Sequence, residues 1–202
     1  MTMIKSANII IREKPIDLSW EKVQEVIFLA HTDTSKQGGV QISARLSGEE
    51  IKEKVGDGIC YVALYNDKVV GTCSVTLHLK NAWFHKGIAA YYMLAAVLPE
   101  FQGLGIYSRL NEKCDEFALA HGVNVVYLYT AESNFKLQHI SERYGFRLIS
   151  YYVSPKTDYY SVLMAKWLNG CPYPKWYCRC MFFLSKLYIK IRYRAGMVKR
   201  FL

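Results

Sequence analysis

Ten consecutive residues, Leu98-Pro99-Glu100-Phe101-Gln102-Gly103-Leu104-Gly105-Ile106-Tyr107, carry the spacing in this chain best suited to chemistry. The apolar run Tyr91 to Leu98 ahead of them predicts a buried strand. Pro99 ends it, because proline has no N–H to give to a sheet ladder. Gly103 and Gly105 allow a tight turn whose amide groups point inward. A helical pattern from Ser108 to His121 follows, and the start of a helix favours an anion through its unpaired N–H groups and its dipole. The lysine and Ser/Thr of a Walker loop are absent, which argues against a metal-bound triphosphate. What remains fits a pyrophosphate held by backbone groups alone. Taken without its surroundings, Gln-Gly-Leu-Gly fits a plain strand-turn-helix connection better.

The surroundings add a second motif. A strand pattern from Asn124 to Thr130 leads to Asn134, a short helical stretch, and then Tyr144-Gly145-Phe146. The spacing Gln102-x-x-Gly105-x-Tyr107 after a strand and a proline resembles motif A of the GNAT acyltransferase superfamily. The asparagine, helix and Gly-Phe resemble that superfamily's other motif, in the right order and at the right separation. The resemblance covers roughly Ile9 to Trp167. It implies an α/β fold whose mixed, mostly antiparallel sheet is splayed at an acyl-CoA site and flanked by helices.

Carried over residue by residue, the resemblance implies that Ala95, Ala96 and Val97 offer backbone groups to a pantetheine arm. It implies that Gln102, Gly103, Leu104, Gly105, Ile106 and Tyr107 cradle the pyrophosphate, and that Asn134 meets the pantetheine or the cofactor's end. Acetyl-CoA is then the cosubstrate, and the Val97 amide is placed to steady the oxyanion of an attacked thioester. Tyr107 stands where the superfamily usually has Gly or Ala, at the helix start, where its ring can flank the phosphates. Ser141 stands where many relatives place a tyrosine that protonates the leaving thiolate. A thiol of pKa roughly 8–9 hardly needs that acid. Tyr91 and Tyr129 occupy positions where relatives often carry a glutamate base, while Glu132 and His139 lie close by in sequence and could relay a proton through water. With little base in view, the expected acceptor is a weakly basic primary amine, such as an amino sugar or amino acid, because an amine of pKa ~8 is already partly neutral at pH 7. Acceptor recognition falls to His31, Gln41, Trp83 and Tyr129, with Trp83, Phe84 and His85 as a possible ring-stacking wall or an aromatic loop packed on its own core.

These residues need elements to hold them. Asn8 to Arg12 reads as a strand. Trp20, Val23, Val26, Ile27 and Ala30 mark one face of a helix, and His31 to Ile42 reads as a polar loop. Ser47 with Glu50 is a capping box for a helix from Gly48 to Val55. Ile59 to Tyr65 and Val69 to Leu79 form a hairpin about Asn66-Asp67-Lys68, and Asn81 to Ala90 reads as an irregular connection. Arg147 to Val153 and Tyr159 to Trp167 complete the strands.

Charge divides the 202-residue chain in two. Nine Lys/Arg and no Asp/Glu follow position 165, while the remainder carries 17 of each sign and is neutral. The expected organisation is an acetyltransferase-like domain over 1–167 and a basic, aromatic-rich amphipathic extension over 168–202. In the extension, Tyr177, Met181, Leu184, Tyr188, Ile191 and Ala195 share a helical face opposite Arg179, Lys186 and Lys190. Such a helix either packs on the domain or rests on an anionic membrane; no recognition motif accompanies the charge to suggest nucleic acid. Met1 to Pro15 has no small-residue cleavage site, and no apolar run is long enough for a bilayer, so a cytoplasmic protein is expected, peripheral to the inner membrane face if the tail touches lipid. Cys171, Cys178 and Cys180 lack a nearby histidine, and no metal is expected. The function so implied is an acetyl-CoA-dependent N-acetyltransferase; a longer-chain acyltransferase near a membrane and a non-catalytic acyl-CoA-binding module are the alternatives.

Overall fold

The computed structural model describes residues 8–35, 42–153 and 159–194. Its elements are β1 (Ile10–Glu13), α1 (Trp20–Ser35), α2 (Gly48–Val55), β2 (Ile59–Tyr65), β3 (Lys68–Ala82), β4 (His85–Val97), α3 (Ile106–Ala120), β5 (Val125–Ala131), α4 (Phe135–Arg143), β6 (Arg147–Val153), β7 (Tyr160–Trp167) and α5 (Lys175–Arg194), with short 3-10 turns at Ile42–Arg45 and Pro99–Phe101. The seven strands follow the order β1-β2-β3-β4-β5-β7-β6. The pairs β1/β2, β2/β3, β5/β7 and β6/β7 are antiparallel. The result is an open, mostly antiparallel α/β sheet. The chain divides into two compact units, Met1–His78 with Ala90–Gly122 and Leu79–Ala89 with Val123–Leu202.

In the first unit the period-2 alternation of β2 sends side chains to two helical layers. Val62 and Leu64 join Val23 and Ile27 of α1 and Ile51 and Val55 of α2 in one apolar cluster, with Met93, Leu94 and Ala96 of β4. Ser47 caps α2 as its sequence predicts: its hydroxyl accepts from the Glu50 N–H, and the Glu50 carboxylate accepts from the Ser47 N–H. On the other face α3 buries Ile106, Leu110, Cys114 and Ala118, one residue per turn. There the Tyr92 hydroxyl donates to Asp115 and Cys114 lies 3.7 Å from Cys73, sulfur to sulfur. Burying each large side chain contributes roughly 1.5–3 kcal/mol, so α3 is held by packing and needs no polar cap.

In the second unit β6 and β7 bury Ile149, Tyr151, Val162 and Met164. Trp83, Phe84 and Trp167 meet Tyr173 and Tyr177 from the C-terminal extension in a set of edge-on ring contacts at 5.4–6.2 Å. Helix α5 packs along β6, with Cys178 fully covered.

Two sequence expectations are corrected here. His31 to Ser35 is not loop but the last turn of α1. The apolar face that defined the helix stops at Ala30, while backbone hydrogen bonding carries it one turn further. Asn81 to Ala90 is not an irregular connection either: β3 runs to Ala82, and β4 starts at His85 after the turn at Trp83-Phe84. This turn has none of the usual Gly, Asn or Asp, and Gly87, at φ +125, sits inside the strand and hides it.

Candidate acyl-CoA site

Strand β4 runs directly into the glycine turn. Pro99–Phe101 forms one 3-10 turn whose Phe101 ring is buried against Tyr65 at 5.3 Å. Gln102 then returns to extended backbone, and its side-chain amide donates to the Val97 carbonyl at 3.1 Å, fastening the loop to the strand end. Gly103 and Gly105 both adopt left-handed backbone, φ +81 and +73, which strains any residue with a Cβ. A Cβ at either would meet nothing within 4 Å. The glycines are therefore required by backbone conformation, and the space above them is an open cradle. Gly105 is the N-cap of α3, and no side chain caps that helix. Backbone amides, a helix dipole and open space together suit a phosphate group.

A further signal lies upstream in β4. Leu94 has φ +56 although it is a buried leucine in a strand. A non-glycine residue in left-handed backbone inside a strand marks a local break in the pleat, and such breaks re-aim the residues that follow. Those residues are Ala95, Ala96 and Val97. Gly71 of β3 comes close to the same stretch, since a Cβ there would lie 3.2 Å from the Ala96 carbonyl oxygen and 3.1 Å from Ile106. Neither Leu94 nor Gly71 stands out in the sequence, because the close approach at Gly71 involves residues far along the chain and nothing in a leucine signals a positive φ.

In the second unit, Asn134 caps α4, its side-chain oxygen accepting from the Leu137 N–H at 3.1 Å. Gln138 reaches back from the next turn to the carbonyls of Ala131 and Glu132 at 3.0 and 2.8 Å, closing the β5–α4 junction. Ser141 is fully buried on α4, and its carbonyl accepts from the Tyr144 and Phe146 N–H groups. Glu132 accepts from the Tyr151 hydroxyl and forms an ion pair with Lys186 of α5, both at 2.5 Å. Partial burial raises the carboxyl's pKa, but the hydrogen bonds from Lys186 and Tyr151 outweigh it and leave the group below the ordinary range. Glu132 is thus held charged. Tyr129 accepts a hydrogen bond from Lys80 at 2.9 Å and packs against Tyr127 and Tyr152. The Lys80 ammonium also sits 4.8 Å over the Tyr127 ring. Lys80 does not stand out in the sequence, since its partner Tyr129 is 49 positions away.

The acceptor candidates separate. His31 lies in α1, and burial lowers its pKa to about 4, so it is neutral at pH 7. Trp83 packs edge-on against Tyr173 and Tyr177, and its carbonyl accepts from the Tyr173 hydroxyl at 3.4 Å. Gln41 lies outside the described residues. Within the first unit a groove of about 740 Å³ runs between α1 and the Asn66-Asp67 turn, floored by Leu98 and Phe101 and lined by charges of both signs, but it includes neither loop glycine. Among the described residues no group of three His, Cys, Asp or Glu is placed to hold a metal.

A family model described as the Acetyltransferase (GNAT) family matches residues 22–146. Among solved structures, an acetyltransferase from Streptococcus agalactiae is 20% identical, with 80% of this chain and 99% of that one covered at a TM-score of 0.63. A GNAT family acetyltransferase from Elizabethkingia anophelis with acetyl-CoA bound is 19% identical over 80% and 99% at 0.56. An aminoglycoside 6'-acetyltransferase type Ii is 16% identical over 82% and 99% at 0.58. At these identities the likeness is one of fold. No curated protein matches the chain.

Proposed function

The chain belongs to the acetyltransferase (GNAT) family, and from that premise we propose that it transfers an acetyl group from acetyl-CoA directly to the primary amine of a small acceptor. The observation that carries this reading is the cradle at Gly103 and Gly105, left-handed, open, and set at the uncapped start of α3. The residues fit the cosubstrate's diphosphate by chemistry alone: backbone amides from Gly103 to Ile106 would supply the donors, the Gln102 N–H being already donated to the Pro99 carbonyl, and no metal-binding side chain is needed.

Acetyl-CoA supplies an acetyl thioester. Ala95 and Ala96 would hold the pantetheine amides along β4, downstream of the break at Leu94, and the family resemblance assigns Asn134 to the cosubstrate as well. The Val97 N–H donates to the oxygen that gains charge as the amine nitrogen bonds to the carbonyl carbon and the carbon–sulfur bond breaks. The amine's proton leaves to water, with Glu132 a candidate relay, while Ser141, fully buried on α4, is closed off from the departing sulfur. Neither proton transfer needs much help. A thiol of pKa roughly 8–9 leaves readily as thiolate, and an α-amino or amino-sugar nitrogen of pKa ~8 already offers a neutral fraction at pH 7, whereas a lysine side chain at ~10.4 offers very little. Glu132 held charged but tied to Lys186 and Tyr151 agrees with an acceptor that asks for little base. A cytoplasmic location suits acetyl-CoA. The C-terminal extension adds a second partner, an anionic membrane surface.

Free thiol released from acetyl-CoA, measured across a panel of amino sugars, amino acids and lysine peptides, tests the assignment. Release with weakly basic small amines, and little with lysine peptides, is expected. Release only with long-chain acyl donors would move the enzyme to a different acyl transfer, and no thiol release with any amine or donor would leave a binding module.

A further inference from the structure

Helix α5 is apolar on more than the side that docks. Its inner face lies along β6: Cys178 is fully covered, the Ser185 hydroxyl accepts from the Tyr151 N–H at 2.8 Å, Phe182 meets the Tyr151 ring at 6.3 Å, and Lys186 pairs with Glu132. The outer face presents Trp176, Phe183, Leu184, Leu187, Tyr188 and Ile191, each between 54% and 67% exposed. At 100° per residue these six fall in an arc of roughly 140°. Lys175, Arg179 and Lys190, all exposed, border that arc along one side. Six large apolar side chains in one stripe exceed the scattered exposure ordinary for a monomer's surface and mark a contact surface.

The charge on α5 selects the occupant. From Lys166 to the end the chain carries nine cations and no carboxylate. Two copies of α5 meeting about a two-fold axis would bring like charges together. An anionic bilayer answers both features, phosphate headgroups to the basic border and hydrocarbon to the stripe, with Trp176 and Tyr188 suited to the boundary between them. Among the described residues no helix is long and apolar enough to cross a membrane. Its 20 residues, about 30 Å of helix, instead match a segment lying in the interface plane.

Resting on the reading that the extension meets an anionic membrane, we propose that α5 lies in the bilayer interface on its Trp176–Ile191 face while the opposite face stays docked on β6. The folded enzyme is then held at the membrane without unpacking its sheet.

Cosedimentation of the full-length protein with phosphatidylcholine vesicles, with and without phosphatidylglycerol, tests this. The wild type should bind only the anionic vesicles at low salt and release as salt shortens the Debye length. Phe183→Glu with Leu187→Glu should weaken binding by more than tenfold. Arg179→Ala and Lys190→Ala should each weaken it about fivefold, the equivalent of ~1 kcal/mol. These exposed substitutions should leave the thermal midpoint and its rise with acetyl-CoA unchanged, so this test fails or succeeds separately from the acetyltransferase assignment. No binding to anionic vesicles, or equal binding to neutral ones, would overturn the membrane contact altogether. Binding that survives the double substitution but is lost in Met181→Glu would overturn only the choice of face. A stable dimer that the double substitution dissociates would assign the stripe to a second copy instead.

Discussion

Individual residues divide into those whose type declares their role and those whose role is set by distant neighbours. Gly103 and Gly105 are of the first kind: two glycines ahead of a helix declare a tight turn, the second motif downstream gives that turn its meaning, and both carry positive φ. Leu94 is of the second kind, since nothing in a leucine announces left-handed backbone, and its side chain lies in the apolar cluster of the first unit. Glu132 is similar. The sequence offers it as a relay base, but its partners lie 19 and 54 positions away, and they decide its charge. His31 gives a test at this scale. Burial holds its folded pKa at about 4, below the ordinary value of 6.5, so protonation favours the unfolded chain. Stability is full above pH ~6.5 and falls as pH drops toward 4, by about 2 kcal/mol at pH 5. His31→Gln should therefore lose less thermal stability than the wild type between pH 7 and pH 5. Parallel losses in the two proteins would show that His31 titrates normally in the fold.

At the scale of elements, strands and helices with strong local signals were readable close to their ends. The capping box placed α2, the two motifs placed α3 and α4, and the Asn66-Asp67 turn placed β2 against β3, with both turn residues at positive φ. The β3–β4 turn was not readable, because Trp83 and Phe84 are held by aromatic packing and not by turn chemistry. In α5 the helix was legible but its docking face was not. Leu184, Tyr188 and Ile191, expected on one apolar side, are exposed, while Cys178 and Phe182 turn to β6. A helix apolar over most of its circumference does not reveal by periodicity alone which side is covered. Beside the Ser185–Tyr151 hydrogen bond, the Lys186–Glu132 pair is a polar fastener of that docking. Its carboxyl pKa is lowered, so its contribution is present above the ordinary glutamate range and lost as pH falls through the lowered folded value. Lys186→Met should lower the thermal midpoint at pH 7 and remove the extra acid sensitivity below about pH 4.3. With both groups about a third exposed, the loss should stay near or under ~1 kcal/mol. A midpoint that is unchanged at pH 7 would mean that the apolar contacts and the Ser185–Tyr151 hydrogen bond hold α5 to β6 without it.

The whole molecule joins a family fold to a helix that the family's model does not reach, since the match ends at residue 146 and α5 begins at Lys175. The division of charge seen in the sequence corresponds to this. The neutral part builds the sheet, the glycine cradle and the β5–α4 junction, and the basic part builds α5 with its outward stripe. Acceptor identity is the least legible feature, because His31 and Trp83 are engaged in burial and ring packing and Gln41 lies outside the described residues. The acyl donor is the most legible, because it depends on backbone conformation at two glycines. That dependence makes cofactor-linked stability the sharpest test. Acetyl-CoA at about 100 times its Kd should stabilise the wild type by roughly 2.7 kcal/mol. Gly105→Glu, which puts both a strained backbone and a carboxylate into the cradle, should abolish the rise. The decisive measurement is the thermal midpoint titrated with acetyl-CoA in these two proteins: a saturable rise in the wild type and none in Gly105→Glu is predicted, and a wild-type midpoint that stays flat through excess acetyl-CoA would contradict the assignment.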